Sequence, residues 1–451
     1  MGDGISIAVT GDAIIHGRIS VYKYEKFLSL IEVIREADVA YTHLEALLHD
    51  YDGPELYPAA EAGFVGLASP RFVAEEIKWA GFDIVSHATN HSLDYSYGGL
   101  MSTWKALDDV GLPYAGTGMN LAEARAPAYV DTGKGKVALI SMCSSFTNWA
   151  RAGEQRRDIK GRPGLNPLGF HYSVDADTLE LIKKLAVKFG WWVTQVGDEW
   201  LFNPAGMHMA LSRFVVQDEP GVTPIVNEND AADNIRSIKE ARRQADWVIV
   251  HLHNHEWDPD KGLDFPPKFV PPFARACIDA GADVFVAEGS HSLLRGIEIY
   301  KNKPIFYDPG DFFKGIGRTT RLHSDFYSMP GMGEAAQSWQ ATPMDGIEAA
   351  SKILGQPMNP PGGYYSGRVQ GSVLPVCVFG DDRSLIEIKL YPVTHLPGPS
   401  SRRGLPLLAE AEEAKELIEY LSELSAAFGT EVEFKDGIGL VKPVSPDHTR
   451  G

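Results

Sequence analysis

The chain has 451 residues, of which 44% are hydrophobic and 23% charged, enough to bury a sizeable core and carry insertions. Its formal net charge of −18 argues against a nucleic-acid or anionic-membrane partner, because phosphate surfaces reward the opposite sign. Three scattered cysteines (Cys143, Cys277 and Cys377) offer no disulfide framework and fit a reducing compartment. No basic, apolar leader is visible before Ile5, and no run approaches the ~20 apolar residues of a membrane span. The expectation is a cytoplasmic protein without a membrane span, with room for a homo-oligomer.

Ile5–Val9 reads as a short strand ending in Thr10-Gly11-Asp12. Tyr24–Glu36 has helical apolar spacing, and Asp38–Thr42 is a second strand running into His43-Leu44-Glu45. Ser69-Pro70 predicts a helix start, a hydroxyl N-cap followed by proline, with the helix ending near Trp79 at Gly81. Phe82–Ser86 is a third strand, Leu100–Val110 a helix and Val137–Met142 another strand. This alternation predicts a layered α/β sandwich.

From Ser144 to Thr223 the pattern breaks into Gly-, Pro-, Arg- and Trp-rich sequence, with a basic stretch at Arg151–Arg162. One helix (Ala176–Phe189) and a hairpin (Trp191–Phe202) are expected there, and the segment reads as an insertion or lid. Alternation resumes with helix Asn229–Gln244, strand Trp247–Leu252, helix Pro272–Ala280 and strands Asp283–Ala287 and Ile305–Tyr307. An irregular stretch follows, then paired strands Val373–Phe379 and Leu385–Tyr391, and a helix over Leu408–Phe428 ended by Gly429. The expected organisation is a core of residues 1–143 and 224–315, an insertion at 144–223, an irregular segment near the site at 316–372, and a completing unit at 373–451.

Five strand ends carry ligand-type side chains: Gly11-Asp12, His43-Leu44-Glu45, Asn90-His91 with Asp94, the run His251 to Glu256, and Glu288-Gly-Ser-His291. In open α/β sheets ligands bind beyond the carboxyl ends of strands, so these ends predict one polar site. Imidazole and carboxylate together suit Zn, Mn, Fe or Ni. His251, His253 and His255 share one face if the strand continues, and a metal would hold converging imidazoles in the neutral form.

The segments Thr10–Arg18, Ala37–Glu45, Gly81–Asp94, Gly281–Glu298 and Pro304–Phe312 together resemble the CapA family of capsule and poly-γ-glutamate synthesis proteins, a branch of the calcineurin-type metallophosphoesterases. The resemblance implies a metallophosphatase-like α/β sandwich holding one or two divalent ions. It makes Asp12 a metal ligand, Glu45 a bridging carboxylate and Asn90 a ligand of the second metal. His251 or His253, with His291, would complete the coordination. His91, backed by Asp94, would face the leaving group as a catalytic acid. Arg18, His43, Arg162, His255, Glu288 and Arg295 are the candidate substrate contacts. The chain departs from the family pattern at His43 (usually Asn), at Glu288 (usually His), at Asp311 (usually Asn) and in the His251–Trp257 run, which is one residue longer.

The implied function is a metal-dependent hydrolase that uses metal-activated water on a small anionic substrate, a phosphoester or a γ-glutamyl amide. The competing expectation is a non-catalytic protein that binds or assembles a γ-glutamate polymer in capsule biosynthesis.

Overall fold

The computed structural model describes residues 4–59, 66–204, 212–291, 294–315, 319–329, 331–333, 339–354, 369–397 and 402–443. The core opens with β1 (Ile5–Ile14), α1 (Glu25–Glu36), β2 (Val39–His43), α2 (Val73–Ala80), β3 (Ile84–Ser86), α3 (Ser96–Asp109) and β4 (Tyr114–Ala115). Next come β5 (Ala128–Thr132) and β6 (Gly135–Cys143). The insertion holds β7 (Phe170–Val174), α4 (Ala176–Lys188), β8 (Trp192–Val196), β9 (Glu199–Asn203), β10 (Ser212–Val216) and β11 (Val222–Val226). The core resumes with α5 (Glu228–Gln244), β12 (Trp247–His253), α6 (Val270–Ala280), β13 (Val284–Glu288), β14 (Arg295–Tyr300) and β15 (Lys303–Asp308). It closes with β16 (Ser372–Phe379), β17 (Leu385–His395), α7 (Ala411–Ala426), β18 (Glu433–Lys435) and β19 (Ile438–Val441).

Two sheets lie face to face. The first runs β18-β19-β17-β16-β1-β2-β3-β4, with β1, β2 and β3 parallel; the second runs β14-β15-β13-β12-β6-β5, with β6, β12 and β13 parallel. Period-two alternation sorts their side chains. Ile7, Val9, Tyr41 and Ile84 of the first sheet meet Leu139, Ile249, Val284, Val286 and Phe306 of the second in one buried cluster. The alternate residues Ala8, Ala40 and Val85 face α1 and α2 through Phe27, Leu30, Ile34 and Ile77. Ile140, Val250 and Phe285 face α5 and α6 through Ile238, Ala241, Phe273 and Cys277. Both faces of each sheet are therefore covered, which explains why the strands read as near-continuous apolar runs. The result is a four-layered α/β/β/α sandwich. All three cysteines are buried and free.

The insertion forms a satellite sheet, ordered β8-β9-β10-β7-β11, with α4 packed on it over a small core of Val174, Leu179, Ala186 and Phe202. It docks on the main body through Phe170, whose ring stacks on Phe269 at 5.1 Å. The expected hairpin is present as β8–β9, and Asp175 caps α4 by accepting from the Thr178 amide.

Several elements differ from the sequence reading. The second helix starts at Val73, not after Ser69. Ser69 lies in a two-residue strand beside Leu48, and its hydroxyl meets His16 Nδ1 at 3.2 Å, so it is spent away from the helix. β5 and β14 were not foreseen, because each is a short strand whose partner lies next to it in sequence and carries the stronger apolar signal. Pro343–Leu354 is helical where irregular chain was expected. Of the 316–372 segment, residues 316–318, 330, 334–338 and 355–368 lie outside the described residues. The described part contacts the strand ends, with Phe326, Met332 and Ala350 packed on Ile14, Ala46 and Leu67. No helix among the described residues is long and apolar enough to cross a membrane.

Ile249 sits fully buried between the sheets. Its truncation should leave a cavity that neighbouring strands cannot refill, so Ile249→Ala is expected to lower the unfolding free energy by roughly 2–5 kcal/mol in urea titration. A loss under about 1 kcal/mol would mean that the two sheets do not share one core there.

Candidate metal centre

The parallel strands β1, β2, β3, β12 and β13 all end on the same side of the sandwich, and their last inward-facing residues are polar. His251 and His253 share the inner face of β12 with Ile249, so the side-chain period that buries the core also aims these rings between the sheets. Asp12 lies near the end of β1, paired with His43 after a shift of register, while His43 ends β2 and Glu288 ends β13. Two glycines permit the convergence. A side chain at Gly11 would bring its Cβ to 2.3 Å from the Gly310 carbonyl oxygen, and one at Gly289 (φ 115°) would come to 2.8 Å from the Asn254 oxygen. His291 itself takes φ 51°, a backbone conformation uncommon outside glycine and typical of functional turns.

One ligand atom from each of Asp12, His43, His253 and Glu288 can be chosen so that all four lie within 4.8 Å of one another; all four residues are buried. Glu45, His255 and His291 form a second such group, and Asp12, His291 and Asp311 a third, which shares residues with the other two. The groups adjoin. His253 Nε2 is 3.9 Å from Glu45 Oε1, and His291 stands 3.7 Å from Asp12 and 3.8 Å from Glu45.

The surrounding hydrogen bonds set the rings. His253 donates from Nδ1 to Glu288 Oε1 at 2.7 Å, and His251 donates from Nε2 to the same oxygen at 2.8 Å. The Ser141 hydroxyl satisfies His251 Nδ1 at 3.0 Å, so both nitrogens of His251 are occupied and the ring serves as a brace. Of the alternatives His251 and His253, it is His253 that presents a nitrogen to the cluster. His43 Nδ1 meets Ser86 Oγ at 2.7 Å, which in turn meets Tyr41 Oη at 2.7 Å; this leaves His43 Nε2 facing Asp12 and Glu288. His91 donates from Nδ1 to Asp94 Oδ2 at 2.5 Å, and its Nε2 lies 3.6 Å from Glu45 Oε1.

Electrostatics oppose this arrangement without a cation. Burial, then Glu288 and Glu45, pushes the Asp12 carboxyl well above its usual range. Burial likewise raises Glu45 and Glu288. Burial lowers His251 to about 3 and holds His43, His253 and His255 in the neutral form. His291 differs: burial works against its charge, but Glu45 and Asp311 outweigh this and lift it to about 10. Both oxygens of Asp12, both of Glu45, Glu288 Oε2 and His43 Nε2 are buried with no hydrogen-bond partner among the described residues. His253 Nε2, a bare lone pair once Nδ1 donates, points at the Asn90 Oδ1 acceptor (2.8 Å) and at His255 Nε2 (3.0 Å). A buried set of converging carboxylates and imidazoles with so many unsatisfied atoms fits a divalent cation.

Sequence reasoning and structure part at particular residues. His43, Glu288 and His255, expected as substrate contacts, lie instead in the groups that could hold a metal ion, and His43 and Glu288 are fully buried. Arg295 is also buried, donating to the carbonyls of Leu263 and Glu256, so it braces loops rather than meeting a substrate. Arg18 bonds Glu76 and lies over Phe72, and Arg162 donates to the Arg151 carbonyl at the surface of the insertion; neither joins the cluster. Asp311 was noted only as a departure and given no role, yet it lies 3.5 Å from His291. Its place after the Ile305–Tyr307 strand run, in Gly310-Asp311-Phe312, was the available signal.

The four-layered sandwich and the strand-end cluster define a metallophosphatase-like α/β protein with a centre able to bind metal. Residues 6–315 match the bacterial capsule synthesis protein PGA_cap family, and the chain belongs to that family. It is 33% identical over 456 residues to an uncharacterized protein of Sinorhizobium fredii, covering 98% of this chain and 93% of that one. It is 29% identical over 244 residues to a probable polyglutamine synthesis accessory protein of Mycobacterium tuberculosis, with 53% and 47% covered. It is also similar to the capsule biosynthesis protein CapA of Bacillus anthracis, at 23% identity over 257 residues, with 56% and 46% covered.

If a cation relieves the buried acceptors, its removal should destabilise the fold. Chelation is expected to lower Tm, and Zn or Mn added at a hundred times its Kd to restore about 2.7 kcal/mol. An unchanged melting curve on chelation and re-addition, in protein shown by elemental analysis to gain and lose the ion, would remove this account.

Proposed function

We propose that the chain is a metal-dependent hydrolase acting on a small anionic substrate at this centre. The observation that carries the reading is the set of buried side-chain atoms on Asp12, Glu45, Glu288 and His43 that have no hydrogen-bond partner among the described residues. Asp12, His43, His253 and Glu288 would hold one ion, and Glu45, His255 and His291 a second, with Asn90 and Asp311 beside them. Mixed imidazole and carboxylate donors suit Zn, Mn, Fe or Ni. A divalent ion there supplies Lewis acidity and brings the pKa of water towards neutrality.

The chain's own residues supply the rest. His91 is held by Asp94, whose Oδ2 also accepts from the Leu67 amide, so the ring cannot swing. Its Nε2 faces the cluster, where it would give a proton to the leaving atom. Burial disfavours the charged ring, but the Asp94 carboxylate outweighs this and raises its pKa, which keeps the proton available near neutrality. Asn90, His255 and His291 are the partly exposed members and mark the side from which substrate would enter. Residues 144 and 145 of the insertion border this side: the Ser144 and Ser145 hydroxyls each donate to Glu256 at 2.7 Å, and Ser145 Oγ accepts from the His255 amide at 2.7 Å. The start of the insertion thereby positions His255, in line with a role for this segment in substrate choice.

The names of the relatives, polyglutamine synthesis accessory protein and capsule biosynthesis protein, favour a γ-glutamyl amide as substrate, while the fold favours a phosphoester. A screen of both classes with metal-loaded protein decides. Asp12→Ala and His291→Ala are expected to lose bound metal and activity together, whereas His91→Ala keeps metal and loses about 10²–10⁴-fold in kcat. Metal loss in all three variants would make His91 a ligand. Full metal occupancy with no turnover on any substrate would point instead to a polymer-binding or assembly role.

A further inference from the structure

The satellite sheet ends in an open edge. β8 is its terminal strand, and no described strand pairs with its outer side. Trp192, Thr194 and Val196 face outwards, with Trp192 65% and Val196 56% exposed, while Val193 turns into the small core beside Phe202 and Phe214. The strand Trp192-Val193-Thr194-Gln195-Val196 contains no charge, no proline and no glycine. Exposed edges are usually blunted by one of these, because unpaired backbone groups recruit another strand. The opposite edge of the same sheet, β11, does carry such a block in Pro224.

Register shows which groups are free. Gly197 and Asp198 form the two-residue turn that closes on the pair Val196 and Glu199. That closing pair is hydrogen-bonded, and bonding alternates along an antiparallel ladder. Trp192, Thr194 and Val196 therefore spend their amides inside the hairpin, and Val193 and Gln195 direct theirs outwards.

Charge selects the occupant. The whole chain carries −18, but residues 144–223 contain nine Lys and Arg against nine Asp and Glu. The excess acid lies entirely outside the insertion. Two copies of this strongly acidic chain would meet with least repulsion at the insertion.

We propose that two copies of the chain form a homodimer by antiparallel pairing of β8 with β8. A two-fold axis through Thr194 sets Val193 against Gln195 across the interface as hydrogen-bonded pairs. The same axis brings Thr194 onto its symmetry mate and Trp192 onto Val196 as the closely spaced side-chain pairs. The contact is self-complementary and closed, so it makes a dimer and not a fibre.

The test is sedimentation of the full chain over a range of concentrations, with two variants that leave the hairpin's own ladder intact. Gln195→Pro removes an outward N–H, and Thr194→Lys sets two positive charges opposite each other across the axis. The expected result is a dimer for the unchanged chain and a monomer for both variants, with unaltered far-ultraviolet circular dichroism and Tm for the main unfolding step. A monomeric unchanged chain overturns the proposal, including one whose edge is taken up by an extended peptide from another protein. Dimers that persist in both variants overturn it equally.

Discussion

Asp12, Glu45 and Glu288 are buried at the end of a two-sheet core, among imidazoles of which burial keeps His43 and His253 neutral. Carboxylates in such a place repel one another and lose their hydration, a cost of several kcal/mol per ion when nothing compensates. Much of the surrounding structure serves to hold this unfavourable cluster in shape. Ser86 fixes His43, Ser141 fixes His251, Glu288 orients His251 and His253 together, and Asp94 locks His91. Braces of this kind are what a metal centre needs from its surroundings, because ligand orientation is set by the groups behind the ligands.

The sandwich makes the cluster affordable. Each sheet is covered on its outer face by helices and on its inner face by the other sheet, so the site-bearing strands stay buried up to their last residues. The same alternation that points Ile249 into the core points His251 and His253 into the site. Where β6 ends, the chain leaves the sheet to build the insertion, and its first residues, Ser144 and Ser145, tie Glu256 and the His255 amide. The insertion is thus mechanically joined to the mouth of the site, although most of its sheet packs on a core of its own.

Strand ends were legible in the sequence because an apolar run that stops on Asp, His, Asn or Glu leaves a periodic trace. Asp12, Glu45, Asn90, His253 and His291 could be named from that trace and from the family pattern. The roles of the arginines were not legible. Arg18, Arg162 and Arg295 look alike in sequence, yet one pairs with Glu76, one lies at the surface of the insertion, and one is buried against two loop carbonyls. A long cationic side chain takes its partner from whatever the fold places within reach, and that partner is distant in sequence.

Composition, periodicity and the residue types at strand ends determined the layered α/β class, the covered sheets and the presence of one polar centre, since these depend on local side-chain alternation. Only the tertiary structure decided which imidazole nitrogens are free. His251 and His253 are equivalent by spacing, but Ser141 from β6 occupies the second nitrogen of one, while that of the other faces Asn90 Oδ1 and His255 Nε2 in the cluster. It likewise placed His43 and Glu288, expected as substrate contacts, among the buried residues that could hold a metal ion, and brought Asp311 to His291. These outcomes depend on how two sheets stack and how closely glycines at 11 and 289 let backbones approach, and no single segment encodes that distance.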